Sequence, residues 1–234
     1  MNRWKASGIH LAISLMVFLT LLGLVIVIWY PGILFNIDGG WEGLRIVMGV
    51  DVVLGPLLTL VVFKLGKPGL KFDLSCIAAA QIACMGAGLW IVYQERPLAL
   101  VFAYDTFYSL ATGEFKAFDK DPAVLANFPG SYPKLLYTQL PDNEISADIV
   151  NIRSQFIGDP LFMQTERYQP LPESVKDIFR RESNIRVAAG ELIDEVIEES
   201  TKCQLSRFVS AHTNGFVCFD PQQRKLTQFY KGSN

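Results

Sequence analysis

The sequence has few of the residues on which enzymes and metalloproteins depend. Its 234 residues include two histidines and four cysteines, without a CxxC or HExxH motif and without a glycine-rich phosphate loop. These numbers and spacings match none of the usual metal sites. His212 lies near Ser210 and Asp220 in the sequence, but a nucleophilic triad is recognised by geometry, and sequence proximity is no test of it. The sequence therefore predicts no catalytic residue, no metal and no cofactor.

Charged residues are scarce in the first part of the chain. Residues 1–93 hold six basic and four acidic side chains, whereas residues 94–234 hold 15 basic and 19 acidic ones. This division is typical of a lipid-embedded first part and a water-soluble second part of 141 residues, which is long enough for its own core. Because the second part has a formal charge of −4, we expect no nucleic-acid partner.

Three apolar runs predict three membrane-spanning helices, over residues 9–30, 44–63 and 74–93. As helices they would reach about 30 to 33 Å, which matches the hydrocarbon thickness of a bilayer. The alternative for the first run is a cleaved signal peptide. Signal peptides have apolar centres of roughly 7 to 15 residues and a small-residue cleavage site. Here the run is longer, and Trp29, Tyr30 and Pro31 follow it.

The basic residues predict an orientation, because Lys and Arg near the ends of spans resist translocation. They precede the first span and occupy the second loop, whereas residues 31–43 have none. These residues are Arg3, Lys5, Lys64, Lys67 and Lys71. We therefore expect a cytoplasmic N-terminus, three crossings of a bacterial inner membrane, and a periplasmic domain over residues 94–234.

The second span contains a carboxylate, Asp51. Such a group costs about 2.5 to 3.5 kcal/mol on insertion scales and usually faces protein or water. Pro56 removes a backbone N–H and Gly55 weakens the helix beside it, so we expect a kink there. Asp51 could be satisfied by the other two spans, recognise a partner or relay protons. The sequence leaves these three interpretations open.

The third span has a face of small residues at four-residue spacing, with Gln81 beside it. The face consists of Cys76, Ala80, Cys84 and Gly88. Small residues let helices approach closely in lipid, and a glutamine can donate and accept hydrogen bonds between helices. This face packs either on the other two spans of the chain or on a membrane helix of another protein.

Residues 94–234 predict a mixed α+β domain. Residues 98–107 are expected to form one central strand, and a helix over residues 146–156 places Ile149, Ile152 and Phe156 on one face. Further helices are predicted after Asp121-Pro122, after Pro170 and over residues 187–199. An antiparallel meander over residues 208–230 turns at Asn214-Gly215 and near Asp220-Pro221.

Two cysteines of this domain, Cys203 and Cys218, are candidates for a disulfide. The compartment outside the inner membrane is oxidising, so a bridge across 15 residues would contribute about 3 kcal/mol in the chain-entropy model. Whether their Cα atoms come within reach is not visible in the sequence.

Several strings resemble the type IV pilin accessory protein family (TfpX/TfpZ). The likeness is strongest in residues 50–59, VDVVLGPLLT, and extends over somewhat less than half of the chain, to about residue 107. The other similar strings are residues 3–10, 29–31, 39–40, 72–74, 96–97 and 105–107, together with Gln81.

The resemblance implies a chaperone-like accessory protein of the inner membrane that binds a particular type IV major pilin and promotes its stability or its assembly into pili. Other pilus-assembly proteins of the inner membrane and the lipid bilayer are further expected partners. The candidate positions for pilin contact or intramembrane function are Asp51, Gly55, Pro56, Thr59, Ala80, Gln81, Cys84 and Gly88.

Two other classes of function remain open at this point. A periplasmic sensor would pass a signal inward, but the short segments on the predicted inner side leave no room for an output domain, so it would need a partner kinase. A membrane enzyme that modifies pilins or glycans would require one indispensable polar residue in the outer part. The absence of a catalytic pattern disfavours the enzyme.

Overall fold

The computed structural model describes residues 2–64, 66–139, 141, 143–173 and 204–231. It divides the chain into two compact units. The first unit consists of Met1–Pro31 and Gly39–Gln94, and the second of Gly32–Asp38 and Glu95–Asn234. The second unit is therefore assembled from two separate parts of the sequence.

Seven α-helices lie in the described residues. In chain order they are α1 (Arg3–Leu24), α2 (Leu34–Ile37), α3 (Gly40–Met48), α4 (Gly55–Val62), α5 (Leu70–Glu95), α6 (Thr112–Ala117) and α7 (Glu144–Ile152). Three of them continue as π-helical segments, which are Val25–Trp29 after α1, Gly49–Leu54 between α3 and α4, and Arg153–Ile157 after α7.

The first unit contains three long apolar helices, Arg3–Trp29, Gly40–Val62 and Leu70–Glu95. They have 27, 23 and 26 residues, so by length and composition each can cross a membrane. The prediction of three apolar helices at the N-terminus is confirmed, and each overlaps a predicted span. Pro56 lies in the first turn of α4, directly after the π-helical segment Gly49–Leu54. A π-helical segment is one of the known causes of helix bending, and the kink expected there stays a prediction.

The second unit is built on a seven-stranded mixed sheet. Its strands are β1 (Ala99–Ala103), β2 (Thr106–Leu110), β3 (Lys134–Tyr137), β4 (Gln169–Pro170), β5 (Gln204–Val209), β6 (Asn214–Asp220) and β7 (Lys225–Lys231). The strand order is β4-β3-β1-β2-β5-β6-β7. The pairs β1–β3 and β2–β5 are parallel, and the other four pairs are antiparallel.

Apolar side chains cover both faces of this sheet. Alternate residues of β1 belong to two different cores, with Leu100 and Phe102 in one and Ala99 and Val101 in the other. Side chains of successive residues point to opposite faces of a strand, so a central strand with two covered faces is apolar throughout. This explains the continuous apolar run from which an internal strand was predicted.

The run over residues 98–107 is nevertheless two strands, which corrects the prediction of one. β1 and β2 form an antiparallel hairpin whose turn is Tyr104-Asp105, with φ values of 48° and 61°. Positive φ at both central residues defines a type I′ turn, which usually contains Asn or Gly. The Tyr-Asp pair has no such signature, so the turn was not visible in the sequence pattern.

Other elements differ from prediction in smaller ways. The segment after Asp121 is a 3₁₀-helix, Pro122–Asn127, and the stretch before the predicted helix at Pro170 contributes the short strand β4. The meander is confirmed as β5, β6 and β7, but its first turn precedes Asn214-Gly215, which already belongs to β6. The predicted helix after Pro170, from residue 174 onward, and the predicted helix over residues 187–199 lie outside the described residues.

Candidate functional site

Asp51 lies at a polar junction inside the first unit, which we define as Ser14, Asp51 and Gln81. The carboxylate is buried and accepts hydrogen bonds from Gln81 Nε2 at 3.0 Å and from Ser14 Oγ at 3.3 Å. One residue from each of the three apolar helices takes part. Buried polar groups in an apolar setting are stabilised when they bond one another, so the junction joins all three helices at one point.

Gly55 gives Gln81 the space that it needs. A Cβ atom on Gly55 would lie 2.0 Å from Gln81 Nε2 and 2.7 Å from Gln81 Cδ, well inside van der Waals contact. A side chain at this position would therefore displace the amide that bonds Asp51. Glycine at residue 55 leaves room for the Gln81 side chain against α4 and is not needed for an unusual backbone conformation, since its φ is −60°.

Two further polar contacts join α1 to α4. Ser7 Oγ donates to the carbonyl of Pro56 at 2.9 Å, and His10 Nδ1 lies 2.6 Å from Thr59 Oγ1. Thr59 is buried, and His10 is partly buried. Four candidate residues of the second predicted span therefore lie against polar side chains of the neighbouring helices. They are Asp51, Gly55, Pro56 and Thr59. Histidine and serine on the first helix are the partners that the sequence did not identify.

The small-residue face of the third helix is divided between the interior and the surface. Gln81 and Gly88 are buried in the first unit, whereas Ala80 and Cys84 are exposed. The exposed side of α5 also presents other small residues. They are Cys76, Ala79, Ala83 and Ala87. Ala80 and Cys84 are therefore available to a partner, while Gln81 and Gly88 support the bundle from within.

The segment between the first two apolar helices is a feature of the second unit that sequence reasoning missed. Leu34 and Ile37 of α2 are buried in the core that contains Phe102, Phe107 and Phe208. The signal was the apolar sequence Ile33-Leu34-Phe35 with Ile37, unusually hydrophobic for a loop. A loop that buries such residues is part of a domain core, because leaving them in water would cost about 1.5 to 3 kcal/mol for each large side chain.

Asp38 completes the attachment of this segment. It is buried, and its carboxylate accepts a hydrogen bond from the hydroxyl of Ser109 in β2. Burial raises the pKa of Asp38, while hydrogen bonds from Ser109 and Ser210 and the nearby His212 act in the opposite direction and Glu114 adds to the rise. His212 in turn has Nε2 at 4.0 Å from Glu95 Oε2. These groups form a titratable cluster around α2.

The raised pKa of Asp38 predicts how the stability of the second unit depends on pH. The folded state holds the proton more tightly than the unfolded state, so stability falls as pH rises from the ordinary range of aspartate through the raised value. Asp38→Asn should remove this fall and make the protein more stable than wild type at neutral pH. The difference in stability between Asp38→Asn and wild type should become smaller toward pH ~4. Thermal unfolding of the full chain in detergent across this range measures it.

Asp119→Asn is the matched control for the change in net charge, because Asp119 is an exposed aspartate of the same unit. A loss of stability in Asp38→Asn at neutral pH would contradict the prediction. It would show that the ionised carboxylate is stabilised by a favourable charge, for which His212 is the candidate.

The residues that superficially suggest a nucleophilic triad do not meet. The hydroxyl of Ser210 accepts hydrogen bonds from the backbone N–H groups of His212 and Thr213, so it stabilises the turn before β6. Asp220 lies at the opposite end of β6 and accepts from the N–H groups of Gln222 and Gln223. Within the described residues there is also no group of three or more His, Cys, Asp or Glu side chains that could hold a metal ion.

Only one of the two cysteines proposed to form a disulfide lies within the described residues. Cys218 is buried in β6, where its register partner on β5 is Leu205. Cys203 lies outside the described residues. Their pairing therefore stays a prediction.

The described residues thus combine three apolar helices, each long enough to cross a membrane, with a mixed-sheet unit, and comparison with known proteins identifies the family. Residues 1–32 match the family model of the fimbrial assembly protein FimB. A fimbrial assembly protein of serogroups C1 and C2 of Dichelobacter nodosus is 36% identical over 115 residues, which are 47% of this chain and 86% of that protein. The chain belongs to the fimbrial assembly protein family.

Two longer relatives from the same organism are also similar. The fimbrial assembly proteins of serogroups E1 and I are each 35% identical over 129 residues. The match covers 53% of this chain and 49% of each relative, so the chain spans about half the length of these two proteins. No solved structure matches the chain significantly.

Proposed function

We propose that this protein is a non-enzymatic, chaperone-like accessory factor of the bacterial inner membrane that binds a type IV major pilin and promotes its stability or assembly. Its membership of the fimbrial assembly protein family is the observation that carries the proposal. The exposed small-residue side of α5 and the separate sheet unit support it, because they offer a membrane surface and an outer surface on one chain. The protein uses no cofactor in this role.

The second unit is assembled from two separate chain segments, and this supports the proposed topology. Gly32–Asp38 and the residues from Glu95 onward share one core, so they lie on the same side of a membrane. The chain between them must then cross an even number of times, which Gly40–Val62 and Leu70–Glu95 supply. The basic residues before α1 and between α4 and α5 favour a cytoplasmic N-terminus, and the second unit is then periplasmic.

The proposed membrane contact is the exposed side of α5 that contains Ala80 and Cys84. Small side chains allow another helix to approach the backbone closely, which favours association where lipid removes the hydrophobic driving force. A second contact through the outer unit would raise the effective concentration of the pilin without requiring either contact to be tight. Weak individual contacts also allow the pilin to be released when it enters the pilus.

Site-specific photo-crosslinking in pilus-bearing cells tests this proposal. A photoreactive amino acid at Ala80 or Cys84 should capture the major pilin, identified by mass spectrometry. The matched control is Ile82, which is exposed on the same helix at nearly the same depth but about 200° around the axis from Ala80. We expect several-fold more pilin adduct at Ala80 and Cys84 than at Ile82.

Failure would be recognisable in two ways. If Ala80 and Cys84 give no more pilin adduct than Ile82, the proposed membrane contact is wrong. If, in addition, the purified full chain in mild detergent brings down no pilin from these cells, the proposed function is wrong.

A further inference from the structure

The helix α7 and its π-helical continuation carry an exposed apolar stripe on the second unit. We define the stripe as Ile145, Ile149, Ile152, Phe156 and Ile157, whose side chains are between 52% and 80% exposed. The sequence spacing placed three of these residues on one helical face, and the structure turns that face outward. Over 13 residues the stripe is about 20 Å long.

The opposite face of α7 attaches the helix to its own unit. Val150 is completely buried in a core with Ala103 and Leu161. On the same side, the hydroxyl of Tyr104 donates to Asn151 Oδ1 at 3.1 Å. The stripe is therefore a second apolar surface on a helix whose inward face is already packed. Five large apolar side chains in water on one helix are characteristic of an interaction surface.

The spacing of the stripe is that of a coiled-coil seam. Ile145, Ile149, Ile152 and Phe156 follow the alternating steps of four, three and four residues that define successive d, a, d and a positions. The π-helical turn Arg153–Ile157 brings Ile157 about one turn after Ile152, so it lies beside Phe156 at the end of the seam. A seam of this spacing accepts another helix in the packing of coiled coils.

We propose that the stripe pairs with the same stripe of a second copy of this chain, in a parallel arrangement around a twofold axis. In this arrangement each a and d residue meets its own counterpart, so one apolar surface serves both partners. The inference does not depend on the proposed pilin partner.

The charged residues that flank the stripe favour this partner and this direction. In the heptad assignment Asp148 occupies a g position and Arg153 the following e position. In a parallel pair, g of one helix lies beside the following e of the other, so each Asp148 faces Arg153 of the second copy. An antiparallel pair would instead bring g positions against g positions, and Asp148 would have no basic partner there.

Acidic residues of the same unit fix the side chain of Arg153 beside the stripe. Its guanidinium donates to Glu166 Oε1 at 2.8 Å and to Asp159, and Lys120 Nζ lies 3.1 Å from Asp159 Oδ1. Two basic and two acidic groups therefore balance one another locally. A guanidinium has five N–H donors, so Arg153 can bond the exposed Asp148 of a second copy in addition to these two carboxylates.

The expected pairing is weak by itself. A seam of two heptads buries less than the roughly 1,200 Å² that stable protein pairs need. Pairing should therefore be observed where the chains are concentrated in one membrane, and crosslinking is more suitable than measurement in dilute solution.

Cysteine crosslinking of the full chain in native membranes tests the proposal. The background carries Cys76→Ser and Cys84→Ser and keeps Cys203 and Cys218, so the background alone measures any crosslinking through those two. One cysteine is then added in place of Ile149, Ile152 or, as the control, Gln222, which is exposed in the turn before β7. We expect oxidised homodimers at residues 149 and 152 well above the yield at residue 222. Asp148→Lys, combined with Ile149→Cys, should lower that yield about fivefold through lost attraction and new repulsion.

Three results would overturn the proposal. One is a homodimer yield at residues 149 and 152 no greater than that at residue 222. Another is crosslinking only between different positions, such as 145 with 156, which would indicate an antiparallel pair. The third is capture of the stripe by a fimbrial subunit or by a lipid probe in place of a second copy.

Discussion

Leu34→Asp should unfold the second unit while leaving the three apolar helices in the membrane. Leu34 is 3% exposed and packs in a core with Phe102, Phe107 and Phe208. Truncation of a buried leucine to alanine costs about 2 to 5 kcal/mol, and a buried carboxylate without a partner costs more. Since whole domains are stable by only about 5 to 15 kcal/mol, we expect at least a ten-fold faster digestion of the second unit by protease.

Asn36→Asp is the control, because Asn36 lies in the same short helix and is exposed. It introduces the same charge without removing a buried side chain. Equal protease resistance of the two variants would show that α2 is not part of the core. Loss of membrane association in Leu34→Asp would instead show that the substitution affects the first unit as well.

Gly55→Ala should destabilise the first unit by breaking the polar junction. The new Cβ would lie 2.0 Å from Gln81 Nε2, so the amide must move away from the carboxylate of Asp51. A buried polar group that loses its partner costs about 1 to 3 kcal/mol, and in lipid there is no water to replace the bond. We expect a lower midpoint of thermal unfolding in detergent and a lower steady-state level in cells.

Gly49→Ala is a close control, because Gly49 begins the π-helical segment that directly precedes Gly55 and the same change there meets no atom within 4 Å. Asp51→Asn separates charge from hydrogen bonding, because the amide oxygen can still accept from Gln81 and Ser14. Normal pilus output in Asp51→Asn would assign Asp51 a structural role. Loss of output at a normal protein level would mean that the charge itself functions. A Gly55→Ala protein as stable as Gly49→Ala would show that Gln81 moves without cost.

The apolar helices, and Asp51, Gly55, Pro56 and Gln81 within them, could be singled out from the sequence because their signals are local. A carboxylate, a glycine beside a proline and a glutamine are conspicuous in apolar runs. Their partners were harder to find, since Ser7, His10 and Ser14 are unremarkable in an N-terminal helix. Which polar residue bonds which depends on helix rotation, and no single run of sequence determines that.

The second unit was less predictable because its decisive features depend on long-range packing. The Tyr104-Asp105 turn lacks the glycine or asparagine that usually marks a hairpin, so two strands read as one. The face of Ile149, Ile152 and Phe156 had the spacing of a buried surface, but Val150 on the other side is the buried residue. Periodicity identifies an apolar face without telling whether the chain itself or another molecule covers it.

The discontinuous second unit has a consequence for biogenesis. Asp38 and its partner Ser109 are 71 residues apart, and two apolar helices are synthesised between them. The α2 segment therefore leaves the ribosome long before the strands that enclose it. Its apolar side chains stay unburied until those strands are synthesised. If the intervening helices cross a membrane as proposed, this core can form only after their insertion, and a chain with a failed insertion would keep Leu34 and Ile37 exposed to quality control.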